Sequence, residues 1–388
     1  MKWEKKPLGE FCRLVNGKAF KAEDWSESGL PIVRIQNLND STKPFNYWDG
    51  GIDRQVHIHK GDLLIAWSGT PGTSFGAHIW KGPEGVLNQH IFRVDLQNAM
   101  ITNDWLRFCV NFKLLSLIDQ AHGGVGLKHV TKGAIESLSI PLPPLSEQKR
   151  IAGILDAADA LRAKRREALA QLDTLLQSTF LDMFGDPVTN PMGWEISTIG
   201  SYVKIMAGFA FKSTDFANIG CPIIRISNLE RDTINLKDCA RIPPASLGKG
   251  KRFRIQPGDT LIAMSGATTG KLGFVPDDLD EEWYLNQRVG AFRIPDCTSV
   301  KKQYLRAILK SSFYQNIVWN LAGGAAQPNI SSKQLESAEI PLPPIYLQDK
   351  FSSIVESVER QKAAMRAHLA ELDTLFASLQ SRAFNGEL

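Results

Sequence analysis

The chain has 388 residues, 43% of them hydrophobic and 22% charged, with a net charge of +4. That length holds two or three domains at about 100–200 residues each, and the balance excludes wholesale disorder, collagen-like repeats and acidic tails. Residues 1–200 carry 22 Lys+Arg against 22 Asp+Glu and residues 201–388 carry 23 against 19, so the small excess lies wholly in the second part.

Apolar runs such as Leu63-Leu64-Ile65-Ala66-Trp67 are far shorter than the ~18–20 residues of a membrane span. The start, Met1-Lys2-Trp3-Glu4-Lys5-Lys6, has no apolar leader region. Cys12, Cys109, Cys221, Cys239 and Cys297 are odd in number and scattered, with no Cys-x-x-Cys pair. The expectation is a cytoplasmic protein without a disulfide framework or zinc ribbon.

In chain order, 31–35, 62–67 and 90–94 read as strands between Gly, Pro, Asn and Asp turns. A helix is predicted over 105–118. Ile140-Pro141-Leu142-Pro143-Pro144 then closes the β-rich part. Ser146-Glu147-Gln148 opens a helix free of Gly and Pro for most of its length. From Trp194 the whole pattern returns. Trp3-Glu4 recurs as Trp194-Glu195 at an offset of 191, and Pro31-Ile32-Val33-Arg34-Ile35-Gln36-Asn37-Leu38 as Pro222-Ile223-Ile224-Arg225-Ile226-Ser227-Asn228-Leu229. Gly61-Asp62-Leu63-Leu64-Ile65-Ala66-Trp67-Ser68-Gly69 recurs at 197 as Gly258-Asp259-Thr260-Leu261-Ile262-Ala263-Met264-Ser265-Gly266. Leu87-Asn88-Gln89 matches Leu285-Asn286-Gln287 at 198, and the Pro-Leu-Pro-Pro and Leu-Asp-Thr-Leu elements repeat at 200. The second copy predicts one helix over 302–321 and a second long helix after Pro344.

The chain is therefore a tandem duplication, with units far longer than solenoid repeats. Ile154, Ala158, Leu161, Arg165, Ala168, Leu172, Leu175 and Thr179 follow coiled-coil spacing, as do Ile354, Val358, Gln361, Met365, His368, Leu372, Leu375 and Leu379. The expected fold is α+β, with two duplicated β-rich domains separated by two long antiparallel coiled-coil helices in a pseudo-two-fold arrangement. The expected boundaries are 1–145, 146–190, 191–344 and 345–388. One core helix per globular domain is the alternative.

Catalytic motifs fail one by one. Gly266-Ala267-Thr268-Thr269-Gly270-Lys271-Leu272 has three residues between its glycines where a P-loop needs four, and Leu272 replaces the Mg²⁺-binding hydroxyl. His57-Ile58-His59 sets two imidazoles on one strand face, but no third ligand stands at a suitable spacing, so no metal site is expected. His-Glu-x-x-His, Gly-x-Ser-x-Gly, Gly-x-Gly-x-x-Gly and the Asn-Pro-Pro-aromatic tetrapeptide of DNA amino-methyltransferases are absent. Asp277-Asp278 and Glu281-Glu282 read as a solvated acidic loop.

What remains is binding chemistry, since Arg, Lys and amides read base edges and glycine-rich backbone approaches phosphates. Lys18, Lys21, Arg34 and Gln36, beside Phe20 and Asn37, are echoed by Lys212, Arg225 and Ser227 beside Asn228. Loop candidates are Thr70, Thr73 and Ser74 in one copy and Thr268, Thr269 and Lys271 in the other. Gln89 and Gln287 are bidentate-capable amides. Lys128 and His129 mark a late loop, as do Gln327, Asn329 and Lys333. Lys249, Lys251, Arg252 and Arg254 form the densest basic stretch, either a solvated loop or a phosphate contact. Shared residues such as Asn37/Asn228 and Asp62/Asp259 suit turn caps. Readout belongs rather to the segments that differ: 39–60, 70–85 and 121–128, against 230–254, 267–283 and 321–333.

The order and duplication of these elements resemble the specificity (S) subunit of type I restriction-modification systems. The Pro-Ile-x-Arg-Ile-x-Asn-Leu and Gly-Asp-x-Leu-Ile-Ala-x-Ser-Gly strands, the Leu-Asn-Gln step and Ile-Pro-Leu-Pro-Pro-x-x-x-Gln carry the likeness. Met183-Phe184-Gly185-Asp186-Pro187 and the terminal Ala383-Phe384-Asn385-Gly386-Glu387-Leu388 extend it over the whole chain. The resemblance implies two target recognition domains, each reading one half of a bipartite asymmetric site in double-stranded DNA. The helices become a spacer, although no short tandem repeat lengthens it within 171–178. It implies no catalysis and no cofactor on this chain: S-adenosylmethionine, ATP and Mg²⁺ serve separate modification and restriction subunits, and no membrane is involved. Arg162, Arg165, Arg166, Arg360, Lys362 and Arg366 would dock two modification subunits, a solvated helix face being the alternative. A related modification-only or type II-like system, or a protein-only scaffold, stays open at this point.

Overall fold

A computed structural model describes residues 3–51, 54–69, 74–120, 128–230, 232–295, 299–323 and 328–388. It is an α+β protein. Its contacts divide it into two compact units: residues 1–167 with 366–388, and residues 168–365. Each unit therefore holds one β-rich half and a segment of each long helix.

In the first unit, Cys12–Asn16, Ile91–Leu96, Leu63–Ala66 and Gly76–Ile79 form an antiparallel sheet in that order. A mixed sheet runs Asn46–Trp48, Leu30–Val33, Gly85–Leu87, His57–Ile58, its two middle strands parallel. The strand expected over 31–35 stops at Val33, because Asn37 turns back to cap it. The Asn37 carboxamide accepts from Arg34 N at 3.1 Å and donates to Lys43 O at 3.1 Å. Helix Asn103–Gln120 covers the antiparallel sheet, and Trp105, Phe11, Leu8, Leu63 and Ile65 are buried in the core between them. Gly17 lies against the backbone of Asn88, where a Cβ would come within 2.1 Å of a carbonyl oxygen. No side chain fits there, so this glycine recurs as Gly208 against Asn286.

The second unit repeats the frame. Its antiparallel sheet runs Lys204–Ala207, Val289–Arg293, Thr260–Ala263, Leu272–Phe274. Ala240–Ile242, Cys221–Ile224 and Tyr284–Leu285 form the mixed sheet, and Arg254 bridges Tyr284 where the first unit has a strand at His57. The single helix expected over 302–321 is two, Lys302–Lys310 and Ser312–Leu321. Ser311 breaks it by taking extended backbone and capping the second piece through its hydroxyl, which accepts from Tyr314 N at 3.3 Å. The acidic loop is solvent-exposed as expected, and three of its carboxylates are also paired: Asp277 with Lys302 at 2.6 Å, Glu281 with Arg241 at 2.7 Å and Glu282 with Arg254 at 2.9 Å.

The long helices are Leu145–Phe184 and Ile345–Asn385, 40 and 41 residues, each about 60 Å long. Gln148 and Gln348, fully buried, anchor their starts. Gln148 accepts from Thr102 N and donates to Met100 O and Pro143 O. Gln348 accepts from Lys301 N and donates to Ser299 O and Pro343 O. Unpaired buried backbone groups cost about 1–3 kcal/mol each, so one amide side chain settles three such debts in each unit.

Within each unit the two helix segments run antiparallel. In the first, Arg162 meets Asp373 at 2.6 Å, while Arg150 reaches Leu388 O at 2.8 Å. In the second, Lys362 meets Asp173 at 2.7 Å, and Phe351 packs on Phe180 and Phe184. One column of the expected seam holds, Ala158, Arg165, Leu172 and Thr179 with Val358, Met365, Leu372 and Leu379. The other moves by one residue, to Leu155, Arg162, Leu169 and Leu176 and to Val355, Lys362, Leu369 and Phe376. Leu161, Leu175 and Leu375 instead face outward, 54%, 49% and 50% exposed, and Gln361 and His368 are exposed too. Arg162 and Lys362 win these places because their aliphatic stems pack while their charges are met. Arg162 also pairs with Asp159 and lies over the Phe376 ring; Lys362 also pairs with Glu359.

The helix ends close the cores. Phe384 packs on Trp105 in the first unit, and Phe184 on Tyr304 in the second. Trp3 donates its indole N–H to Ala383 O at 3.2 Å, as Trp194 does to Phe184 O at 2.8 Å.

Candidate nucleic-acid interface

The Leu-Asn-Gln turn organises the same cluster in both units. In the first, Asn88 bridges Lys18, whose ammonium lies 4.4 Å from the Trp48 ring centre. Exposed Gln89 contacts His90 at 3.2 Å, and Trp67 lies against His90 and His129. The strand Lys128–His129 pairs with Ser68–Gly69, and the Ser68 hydroxyl meets His129 Nδ1 at 2.8 Å. A Cβ on Gly69 would strike the Ser74 side chain, so Ser74 belongs to this edge as well. Burial, then the neighbouring His129, holds the His90 imidazole below its ordinary range.

In the second unit, Gln287 is exposed beside Arg288, which donates to the Asn329 carboxamide at 3.0 Å. Asn329 bridges Ser265, as His129 does Ser68. Thr269 closes the adjoining turn through Gly266 O at 2.8 Å and Pro328 O at 3.2 Å. Half-buried Thr268 has a hydroxyl without a hydrogen-bond partner among the described residues, and half-buried Lys271 ends that turn. Imidazoles and an indole in one unit thus stand where a guanidinium, a carboxamide and Met264 stand in the other.

The remaining expected residues lie elsewhere in each unit. Arg34 stacks on Trp25 at 4.6 Å, and among the described residues the Nε atoms of Arg34 and of Arg225 have no hydrogen-bond partner. Gln36 and Ser227 are exposed on the short helical turns that follow. Lys21 pairs with Glu23, Lys212 is exposed, and Lys333 is exposed on the helix Ser332–Glu336. Lys249, Lys251 and Arg252 project from the helical turn Gly248–Phe253, with Arg252 over Phe253; Arg254 is bound to Glu282. Thr70, Thr73, Gln327 and the side chain of Lys128 lie outside the described residues. Asn37, Asn228, Asp62 and Asp259 cap turns. On the long helices Arg162, Arg166 and Lys362 are turned to acidic partners, Arg165 is half-buried, and Arg360 and Arg366 are exposed. Trp67, His90 and Arg288 are the members that sequence reasoning passed over. The signal was there for two: each directly follows a candidate glutamine.

Two β-rich copies with a shared frame, unlike side chains at one turn and no assembled catalytic set among the described residues define a class of paired recognition modules. The family model for the type I restriction modification DNA specificity domain matches residues 1–171 and again 191–374. The chain belongs to that family and is a specificity subunit of the type I restriction-modification kind. It is 25% identical over 403 residues to the type I restriction enzyme MjaVIII specificity subunit of Methanocaldococcus jannaschii, covering 100% of this chain and 93% of that one. With the EcoBI specificity subunit of Escherichia coli it shares 24% identity, over 100% and 86% of the two chains. Among solved structures, the S subunit from M. genitalium aligns over 98% of this chain and 96% of that one, with a TM-score of 0.58 at 14% identity. That likeness bears on the fold. No described helix is long and apolar enough to cross a membrane.

Proposed function

We propose that this chain reads a bipartite, asymmetric site in double-stranded DNA, one half per unit, and directs adenine methylation and restriction by separate subunits. The observation that carries this reading is the pair of turn clusters. Trp67, His90 and His129 occupy the places of Met264, Arg288 and Asn329, so one frame presents two chemistries. Two identical readers would specify a symmetric site; two unlike ones specify two different half-sites. Arginine and amide side chains recognise guanine and adenine edges bidentately, so the second unit has the more explicit base-reading set. The chain itself is non-catalytic in this reading. S-adenosylmethionine, ATP and Mg²⁺ act on the partners, namely two modification subunits and the restriction subunits. Exposed Leu161, Leu175 and Leu375 on the long helices, with exposed Arg360, support docking of partner subunits there. A net charge of +4 is small for a protein that neutralises many phosphates, which fits a subunit that shares backbone contacts with its partners.

The test is methylome sequencing of cells expressing this chain with its modification subunit, before and after residues 1–145 are replaced by those of another specificity subunit. One half of a bipartite adenine motif should change and the other persist. Change in both halves, in neither, or no motif at all would refute the reading.

A further inference from the structure

Antiparallel register builds a cluster that no sequence motif announces. His57 pairs with Val86 and Ile58 with Gly85. The next step of the same register sets His59 opposite Glu84. His57 and His59 share a strand face because side chains alternate with a period of two, and their rings lie 4.5 Å apart. His57 Nε2 stands 3.7 Å from Glu84 Oε2, and His59 Nε2 4.0 Å from Glu84 Oε1. All three donor atoms lie within 4.8 Å of one another. The His57 side chain is only 11% exposed, and its Nε2 has no hydrogen-bond partner among the described residues.

We propose that His57, His59 and Glu84 form a binding site for a divalent transition metal of the zinc class. Zinc held by two imidazoles and a carboxylate at about 2.0–2.2 Å, with water in the open position, is a recurring ligand set. Donors around such an ion stand about 3.4 Å apart in tetrahedral geometry, so closing from separations of 3.7 Å, 4.0 Å and at most 4.8 Å takes about an ångström or less per donor. Glu84 and His59, 63% and 56% exposed, are free to make that move. Asp62 Oδ2 lies 3.9 Å from His59 Nδ1, on the side where a carboxylate orients a ligating imidazole. Arg54 and Arg93 line the same cleft, but Arg93 is clamped to Asp95 at 2.6 Å. Asp95 is taken up by Arg93 and by Arg13 at 3.4 Å, which leaves Glu84 and Asp62 as the carboxylates facing the two imidazoles. Burial raises the thiols of Cys12, Cys109, Cys221 and Cys239, so these are poor competitors for the ion.

The second unit shows what the place looks like without such an ion. Arg254 bridges Tyr284 as His57 pairs with Val86, and Glu282 answers Glu84. There Arg254 and Glu282 form a direct ion pair at 2.9 Å, and Gln256 takes the position of His59. A covalently attached cation satisfies the carboxylate in one unit; a bound cation would satisfy it in the other.

Purified full-length chain, stripped with chelator and dialysed, would be titrated with Zn²⁺ by calorimetry and with Co²⁺ by visible absorption. One equivalent should bind, raise the melting temperature and give the spectrum of a low-coordinate nitrogen–oxygen site. Glu84→Gln should weaken binding at least about 100-fold, beyond the 10–100-fold cost of losing an outer-shell partner. The double variant His57→Arg with His59→Gln installs the second unit's side chains. It should bind no metal yet melt like the stripped parent. Absence of binding by the parent, or unchanged affinity in Glu84→Gln, overturns the proposal whether or not the double variant folds.

Discussion

At the turn after Leu87 the first unit gathers Trp67, His90 and His129; at the same turn after Leu285 the second gathers Met264, Arg288 and Asn329. Around both turns the backbone-serving residues are copied: Gly17 and Gly208, Asn37 and Asn228, Asp62 and Asp259, Gln148 and Gln348. The contrast separates two kinds of demand. Where a side chain completes the backbone, its chemistry is dictated and both units keep it. Where it faces outward, only the outside world dictates, and the units part.

The sharpest way to break this division is at the copied residues. Gln148→Leu and Gln348→Leu each leave three backbone groups without partners, and each should cost about 2–4 kcal/mol. Denaturant unfolding should show losses of similar size; a harmless change in either unit would mean its frame is not maintained by this amide. Next come the divergent residues. Arg288→Ala should cost about 1–3 kcal/mol of DNA discrimination and relax only the half-site read by the second unit. His129→Ala should relax only the other, and either substitution altering both half-sites in a methylome would contradict independent reading. Asp373→Ala removes the acceptor shared by Arg162 and Arg166, for about 0.5–1.5 kcal/mol measured by thermal unfolding. Asp173→Ala should cost more, because it leaves Lys362, only 7% exposed, with Glu359 as its one remaining ion-pair partner among the described residues.

The smallest effect concerns acid. Burial, then Arg107, lowers the His78 pKa, and burial, then His129, lowers that of His90. The unfolded chain takes up these protons first as pH falls below the ordinary imidazole value of 6.5. Their contribution to stability is thus complete above that value and fades as pH drops toward the lowered folded values. Hydrogen-exchange protection factors at 76–79, corrected for the intrinsic pH dependence of exchange, should fall between pH 7 and 5.5, with Arg288's surroundings, which lack an imidazole in that place, as internal reference. His78→Gln should flatten the response.

Much of this was legible in residue order. The duplication, the main strands and both long helices follow from periodicity and repeated turns. The seam was half legible: Leu161 and Leu175 mimic it by hydrophobicity. Arg162 and Lys362 occupy it only because Asp373 and Asp173 wait on the facing helix, which spacing within one helix cannot reveal. The break at Ser311 hid behind a continuous helical pattern. A metal site at His57 and His59 is set aside on sequence alone for want of a third ligand. Glu84 lies 25 residues beyond His59 and comes into reach only through strand register.

The indole of Trp194 caps a helix end ten residues before it, whereas that of Trp3 caps one 380 residues away. The second unit is a single stretch, 168–365, and the first is 1–167 completed by 366–388. On the ribosome the two are unequal clocks. The first unit is the first to be made and the last to be finished, its core open until Phe384 arrives. Loss of residues 366–388 would leave the second unit covalently whole and the first without its closing residues, so such a truncation strikes one unit and spares the other.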